Sequence, residues 1–302
     1  MGDRNWGSGK ESLQRLYPEA AGFNSQGRFL AVRVPLAALL CFLFGLAGSL
    51  CAETHVSGNI TSDTTWAVAG SPYIVTGDVT VYHTSRSNGD QVCRLTVEPG
   101  VEIRFEPGTG LYIGKDYNGS YGYYGALSAQ GTAAAPIVFT SNAAEARPGD
   151  WKGIYFRDPS KDAENLLEHC AIEFAGLTHT ANIFLASASP TIRNCAIRYG
   201  GAHGIYADNT SAPLIQGNSF TDNAASPLSV QASKVHRLSD NTGSGNGRDA
   251  IEVRGGDITA SVAWARQDFA YAIVGDVTVY HTSRSYGEQV HTLTLEPGIQ
   301  LR

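Results

Sequence analysis

The chain has 302 residues, of which 22 are Lys or Arg and 28 are Asp or Glu, and its formal net charge is −6. Residues 1–52 hold five of the basic and three of the acidic residues, so the rest carries 17 basic and 25 acidic residues, a net charge of −8. This balance argues against a nucleic acid partner and against an anionic polymer held by charge alone. The three cysteines after residue 52 are too few for a disulfide framework.

The N-terminal stretch has the pattern of an export signal. A polar extension over residues 1–33 precedes an apolar run from Val34 to Leu50 and small residues that suit cleavage. The extension is longer than a normal n-region, so a translation start after it is the alternative. We predict a signal peptide over residues 34–52 and a secreted or cell-surface protein. An uncleaved anchor is the alternative, because the run nears the ~18 residues that can span a bilayer. Otherwise we expect membrane contact only through a C-terminal anchor missing from this sequence.

A block near the start of the acidic part returns near its end. Residues 58–104, the first copy, align without a gap on residues 256–302, the second copy, with 26 of 47 positions identical. His83 recurs as His281 within the same six residues, Tyr-His-Thr-Ser-Arg-Ser, which favours a structural turn over a ligand site. Because the second copy stops inside the repeat, we expect an array truncated at the C-terminus.

A shorter repeat lies between the two copies. Leu167, Ile192, Ile215 and Leu238 head similar segments at intervals of 25, 23 and 23 residues. A second apolar column follows beside it, namely Ile154, Ile183, Ile205, Leu228 and Ile251. Within each segment apolar and polar residues alternate, as in β-strands, and clusters of Gly, Ser, Asn and Pro separate the strands. Short strands at a fixed spacing predict an all-β parallel β-helix over residues 53–302, with coils of about 22–25 residues.

A polar column accompanies these strands. Cys170, Cys195, Asn218 and Asn241 occupy equivalent positions in successive coils. Asparagine fits such a bend when its amide hydrogen-bonds along the stack, and cysteine fits as a small apolar side chain. A disulfide between Cys170 and Cys195 and a pair of reduced thiols both remain open.

The chain resembles the pectin-lyase-like, right-handed parallel β-helix proteins of secreted bacterial type. The resemblance covers nearly everything after residue 56 and is carried by Leu95–Val101, Gly149–Ile154, Pro190–Ile197 and Pro213–Phe220. It implies a right-handed solenoid. It specifies activity poorly, because that superfamily includes polysaccharide lyases, hydrolases, adhesins and inert stalks.

Outward aromatic residues are the candidate binding sites. Tyr155, Phe184 and Tyr206 hold the outward place beside the second apolar column, so they should stack at the ~4.8 Å strand spacing. Aromatic rings in line suit the apolar faces of sugars, whereas mutual stacking that stabilises the sheet is the structural alternative. A Gly- and Tyr-rich loop over residues 115–125 is the second candidate, with Tyr121, Tyr123 and Tyr124.

Charged residues on the outer strands are expected to pair with each other. Glu168 and Glu173 lie one coil before Arg193 and Arg198 at matching positions, which favours ion pairs over the carboxylates of a lyase site. We find no nucleophile motif and no metal-ligand spacing, and we predict neither catalytic residues nor a cofactor.

The sequence therefore favours an exported, non-catalytic β-helix module. We expect a structural, adhesive or glycan-contacting role at the cell surface, with an extracellular polysaccharide or a surface protein as partner. A polysaccharide lyase or glycoside hydrolase on the same fold is the alternative, so the enzyme question stays open.

Overall fold

The computed structural model describes residues 53–86, 90–117, 122–178, 180–283 and 289–302. The predictions for residues 1–52 and for Tyr121 lie outside these residues. The strands are β1 (Thr54–Ile60), β2 (Thr64–Trp66), β3 (Tyr73–Val81), β4 (Val92–Val97), β5 (Glu102–Phe105), β6 (Leu111–Ile113), β7 (Tyr124–Gln130), β8 (Ile137–Ser141), β9 (Ile154–Phe156), β10 (Leu166–Glu168), β11 (Cys170–Glu173), β12 (Ala181–Leu185), β13 (Thr191–Arg193), β14 (Ala196–Arg198), β15 (His203–Ala207), β16 (Leu214–Gln216), β17 (Ser219–Thr221), β18 (Leu228–Val230), β19 (Leu238–Ser239), β20 (Thr242–Ser244), β21 (Ala250–Val253), β22 (Gly256–Ile258), β23 (Val262–Trp264), β24 (Ala270–Ile273), β25 (Val277–Val279) and β26 (Leu293–Leu295).

Short 3₁₀ turns at Val68–Gly70, Asp162–Glu164 and Ala232–Arg237 complete the regular structure of the described residues. No helix in this part of the chain is both long and apolar enough to cross a membrane.

The strands stack into a solenoid with three faces. Face A contains β2, β4, β7, β10, β13, β16 and β19; face B contains β5, β8, β11, β14, β17 and β20; face C contains β6, β9, β12, β15, β18, β21 and β24. The long strand β3 belongs to two faces, because Tyr73–Val75 pairs with β5 and Val79–Val81 pairs with β6. Every paired strand is parallel to its neighbours, as a chain returning beneath itself at each coil requires. The predicted parallel β-helix is confirmed.

The interior of the solenoid consists of the two predicted apolar columns and their neighbours. Leu167, Ile192 and Ile215 pair in register on face A, and each is fully buried. Ile154, Ile183 and Ile205 do the same on face C, followed by the buried Leu228 and Ile251. Both predicted columns are confirmed. Each methylene in them contributes roughly 0.8 kcal/mol of burial energy, so stability accumulates coil by coil.

The predicted asparagine ladder is present at the corner between faces A and B. Asn218 Oδ1 accepts a hydrogen bond from the Cys195 N–H at 2.9 Å, and Asn241 Oδ1 accepts one from the Asn218 N–H at 3.1 Å. The ladder ends on Gln267, whose Oε1 accepts from the Asn241 N–H at 3.2 Å. Cys170 and Cys195 are buried free thiols, so the structure has no disulfide between them.

A second asparagine ladder was not predicted. Asn182 Nδ2 donates to Asn223 Oδ1 at 2.9 Å, and Asn223 Nδ2 donates to Asn246 Oδ1 at the same distance. Asp249 terminates this ladder by accepting from Asn246 Nδ2 at 2.9 Å. Asn223 and Asn246 lie 23 residues apart, which equals the repeat interval and predicts that they stack. Asn182 comes from the start of β12 and so escapes the periodic pattern.

In each of four successive coils, two bends turn the chain with a residue of positive φ. The first bend has φ values of 47°, 54°, 63° and 55° at His169, Asn194, Gly217 and Asp240. The second has 62°, 54°, 55° and 77° at Phe174, Tyr199, Asp222 and Gly245. Glycine, asparagine and aspartate tolerate this conformation, whereas bulky residues rarely adopt it. Phe174 and Tyr199 are therefore strained positions.

The same capping contacts recur in the two repeated copies. Glu98 Oε2 accepts from the Val68 N–H at 2.9 Å, and Glu296 Oε2 accepts from the Arg266 N–H at 3.0 Å. His83 and His281 each accept at Nδ1 from the backbone N–H two residues ahead, at 3.1 and 3.0 Å. Each histidine thus holds the structural turn that the sequence predicts.

Candidate functional site

The aromatic column lies on face C as the sequence predicts. Tyr155, Phe184 and Tyr206 are paired in register on β9, β12 and β15, and each is half-buried. The ring centres are 5.0 Å apart for Tyr155 and Phe184 and 5.1 Å apart for Phe184 and Tyr206. The interplanar angles of 29° and 10° make both pairs stacked.

Tyr112 extends this column by one coil. It pairs with Tyr155 in register, and the two rings meet edge to face at 5.8 Å. Burial raises the pKa of both hydroxyls, so they stay protonated donors at neutral pH. Tyr112 was missed by sequence reasoning, although Leu111-Tyr112-Ile113 repeats the apolar-Tyr-apolar pattern of Ile154-Tyr155-Phe156.

Arginines lie over the ring faces at both ends of the column. The Arg157 guanidinium carbon is 4.8 Å from the Tyr112 ring centre and 5.5 Å from that of Tyr155. At the other end, the Arg254 guanidinium carbon is 4.2 Å from the Tyr206 ring centre. Stacking and these cation–π contacts therefore cover much of the ring faces, and the column presents mainly ring edges and hydroxyls to a ligand.

Arg254 is fixed in place by main-chain and side-chain acceptors. It donates to the Ala207 carbonyl, to Ser229 Oγ at 3.0 Å and to Asn209 Oδ1 at 3.3 Å. Ser229 Oγ in turn donates to Glu252 Oε1 at 2.8 Å. The guanidinium is thus ordered before any ligand arrives, which reduces the entropy cost of binding.

The tyrosine loop forms a second aromatic and cationic group. Lys115 and Tyr123 exchange backbone hydrogen bonds of 3.0 and 3.1 Å. Lys115 Nζ lies 4.6 Å from the Tyr82 ring centre, and the Arg86 guanidinium carbon lies 4.3 Å from that of Tyr117. Tyr123 meets both tyrosine rings edge to face at 5.8 Å.

Tyr124 does not belong to the loop, and this prediction was wrong. It begins β7 and pairs with Val92 of β4. The glycine content of residues 115–125 argues against a core strand over the whole segment. Glycine is instead required inside this strand, since a Cβ at Gly125 would overlap the Val81 carbonyl oxygen.

The outer carboxylates are paired as predicted. Glu168 and Arg193 face each other in register, with Oε2 and Nη2 2.8 Å apart. Glu173 and Arg198 do the same on face B, where Arg198 Nε donates to Oε1 at 2.8 Å. Only 13% of the Glu173 side chain is exposed, so this pair is more enclosed than its outward position suggested. Within the described ranges, no three His, Cys, Asp or Glu side chains come together in a way that could hold a metal ion.

Residues 117–263 match the family model described as a right handed beta helix region. The match covers the coils that carry Tyr155, Phe184 and Tyr206, together with the asparagine ladders. No curated protein and no solved structure matches the chain. The β-helix fold is thereby established, whereas the pectin-lyase-like and secreted bacterial type stays a prediction.

Proposed function

We propose that this β-helix is an exported, non-catalytic module that contacts an extracellular polysaccharide through the aromatic column of face C. The observation that carries the proposal is the line of Tyr155, Phe184 and Tyr206 at ring spacings of 5.0 and 5.1 Å. A polymer that runs along the solenoid axis would meet an aromatic ring at each of four successive coils, from Tyr112 to Tyr206. A structural or adhesive role follows from such repeated contact.

The column suits a neutral or weakly charged glycan. Its rings are held by stacking and Arg254 is held by hydrogen bonds, so few rotamers are lost on binding. The tyrosine hydroxyls donate hydrogen bonds to sugar oxygens, and the ring edges contact C–H groups. The net charge of −8 after residue 52, from 17 basic and 25 acidic residues, disfavours strongly anionic polymers.

Ion pairing of the outer carboxylates supports a role without bond cleavage. A lyase or hydrolase on this fold would need a free general acid or base. Glu168 and Glu173 are the first outward carboxylates to consider for that role. Arg193 forms an ion pair with Glu168, and Arg198 forms one with Glu173. A carboxylate whose oxygens already accept hydrogen bonds from a guanidinium is poorly placed to take a proton from a substrate.

The test is polysaccharide binding by the full chain on a glycan array. The double variant Tyr155→Ala, Tyr206→Ala removes two rings and both hydroxyls of the column. We expect it to lose about tenfold or more in affinity, because each lost ring and hydroxyl removes about 1 kcal/mol. The control Tyr280→Ala replaces an exposed tyrosine of the second repeated copy, outside the column.

Equal binding by the double variant and the parent would refute the proposal. If the parent binds a surface protein and no glycan, and the double variant loses that binding, the partner is a protein. Release of unsaturated or reducing sugar ends by the full chain would instead support the lyase or hydrolase alternative, with Glu168→Gln and Glu173→Gln as the first variants.

A further inference from the structure

Two histidines meet in the second repeated copy, away from the aromatic column. His281 comes shortly after β25 and His291 shortly before β26, and the two side chains are half-buried. Their ring centres lie 4.5 Å apart, with an angle of 32° between the ring planes. Histidine is the commonest metal ligand in proteins, so two imidazoles in contact form a candidate metal site.

The ring nitrogens that would bind a metal ion reach the solvent. Among the described residues, no hydrogen bond engages His281 Nε2 or either ring nitrogen of His291, and none of these three atoms is buried without a partner. The neighbouring Ser283 and Val290 are exposed, with 74% of Val290 accessible. An ion from solution can therefore approach both rings without displacing a core side chain.

A carbonyl group beside His281 can fix the tautomer that metal binding needs. His281 Nδ1 accepts a hydrogen bond from the Ser283 N–H at 3.0 Å and also lies 3.4 Å from the Ser283 carbonyl oxygen. A metal ion at Nε2 places the single ring proton on Nδ1, because a neutral imidazole carries one N–H. That N–H then donates to the carbonyl oxygen, as the second N–H of a metal-bound histidine commonly does. The exposed Ser283 N–H then bonds to water.

The distance between the rings suits one shared ion. Imidazole nitrogens lie about 2.0–2.1 Å from a bound Zn²⁺, so two nitrogens on one ion are at most about 4.2 Å apart. Ring centres 4.5 Å apart meet this limit after a small rotation about χ2, because each nitrogen lies off its ring centre and this torsion is broad in histidine. In the part of the chain that the structure describes, no third His, Cys, Asp or Glu completes the site. Water or a group from another molecule therefore takes the other positions.

The first copy provides an internal comparison, because it lacks the second imidazole. In the alignment of the two copies, His83 is equivalent to His281, whereas Cys93 is equivalent to His291. Cys93 is fully buried, and burial raises the pKa of its thiol to about 11. The thiolate is the form of cysteine that binds metal ions, so a thiol with this pKa is a poor ligand at neutral pH. The candidate site therefore belongs to the second copy.

We propose that His281 and His291 form a site with two protein ligands for a divalent transition-metal ion such as Cu²⁺, Ni²⁺ or Zn²⁺. His281 binds the ion through Nε2, and His291 binds it through a ring nitrogen. Imidazole suits all three ions, and Cu²⁺ should bind most tightly because affinities at a given site generally peak at copper. The open positions on the ion accept water or a donor group of a partner. This inference does not depend on the proposed glycan contact.

The test is calorimetric titration of the full chain with the chlorides of Cu²⁺, Ni²⁺ and Zn²⁺, combined with electron paramagnetic resonance of the copper complex. We expect saturable binding, and nitrogen couplings from two imidazoles in the copper spectrum. His291→Gln removes one ligand and should weaken binding by about tenfold or more, since even second-shell changes cost about 10–100-fold. Its thermal midpoint without metal should equal that of the parent, which separates loss of the site from loss of the fold.

The matched control is His83→Gln, which removes the equivalent histidine of the first copy and should bind the ions as the parent does. His281→Gln should weaken binding as His291→Gln does. A parent that binds none of the three ions would overturn the inference, as would unchanged binding by His291→Gln. An equal loss in His83→Gln would also overturn it, because the ion would then not be held by the second copy alone.

Discussion

Removal of Asn218 tests the physical account of the asparagine ladder. Asn218 is fully buried and lies between Cys195 and Asn241. Its Oδ1 accepts from the Cys195 N–H at 2.9 Å, and its Nδ2 donates to the Ile192 carbonyl at 3.0 Å and to Asn241 Oδ1 at 3.1 Å. The variant Asn218→Ala deletes all three hydrogen bonds and keeps the backbone free to adopt the same bend.

The expected loss of stability follows from these contacts. An orphaned buried N–H at Cys195 costs about 1–3 kcal/mol, and each lost hydrogen bond to Ile192 and Asn241 costs about 1 kcal/mol. Asn241 Oδ1 keeps a partner, because the Asn218 N–H still donates to it at 3.1 Å. We therefore expect a decrease of about 3–5 kcal/mol in the free energy of unfolding.

Urea denaturation followed by circular dichroism measures this loss, and hydrogen exchange of the Cys195 amide locates it. The matched control is Asn194→Gly, one coil earlier, where the exposed asparagine has a φ of 54° that glycine adopts freely. We expect the control to change stability by less than about 0.5 kcal/mol. A loss below about 1 kcal/mol in Asn218→Ala, or equal losses in the two variants, would refute the reasoning.

Two other perturbations test burial and electrostatics. Ile197→Asp places an unpaired carboxylate in the dry interior and should unfold at least the surrounding coils, whereas Glu173→Ala should cost only about 1 kcal/mol; comparable urea midpoints would contradict the assignment of inside and outside. Burial acts to raise the pKa of Asp208, but hydrogen bonds from Ser211 and Thr210 outweigh it, and the pKa lies below its ordinary value. This contribution to stability is fully present above about pH 4 and is lost as the pH falls through the folded-state pKa. Denaturation midpoints taken from about pH 5 to pH 2 should therefore fall less steeply for Asp208→Asn than for the parent, and equal slopes would contradict the assignment.

The sequence was sufficient wherever a contact joins equivalent positions of adjacent coils. The column of Ile154, Ile183 and Ile205, the ladder through Asn218 and the pair of Glu173 with Arg198 all follow from one repeat length. In a solenoid each coil contacts mainly its neighbours, so a constant spacing in the chain becomes a fixed neighbour in space. Register then determines which side chains meet.

Contacts that leave this register could not be predicted. Asn182 joins the second ladder from the start of β12 rather than from an equivalent bend. Position 125 of β7 requires glycine, because the neighbouring backbone leaves no room for a Cβ. Neither fact has a periodic signal, since both depend on how one coil is placed against another.

The character of the candidate sites was decided only by the tertiary structure. The periodicity of the chain by itself placed Tyr155, Phe184 and Tyr206 in line on an outer face. It did not determine that Arg254, just beyond the end of β21, would lie over the last ring, because a long flexible side chain has many rotamers and only its acceptors select one. It also did not reveal the strained backbone at Tyr199, because a φ angle is set by the turn between two faces and leaves no mark on the pattern of apolar residues.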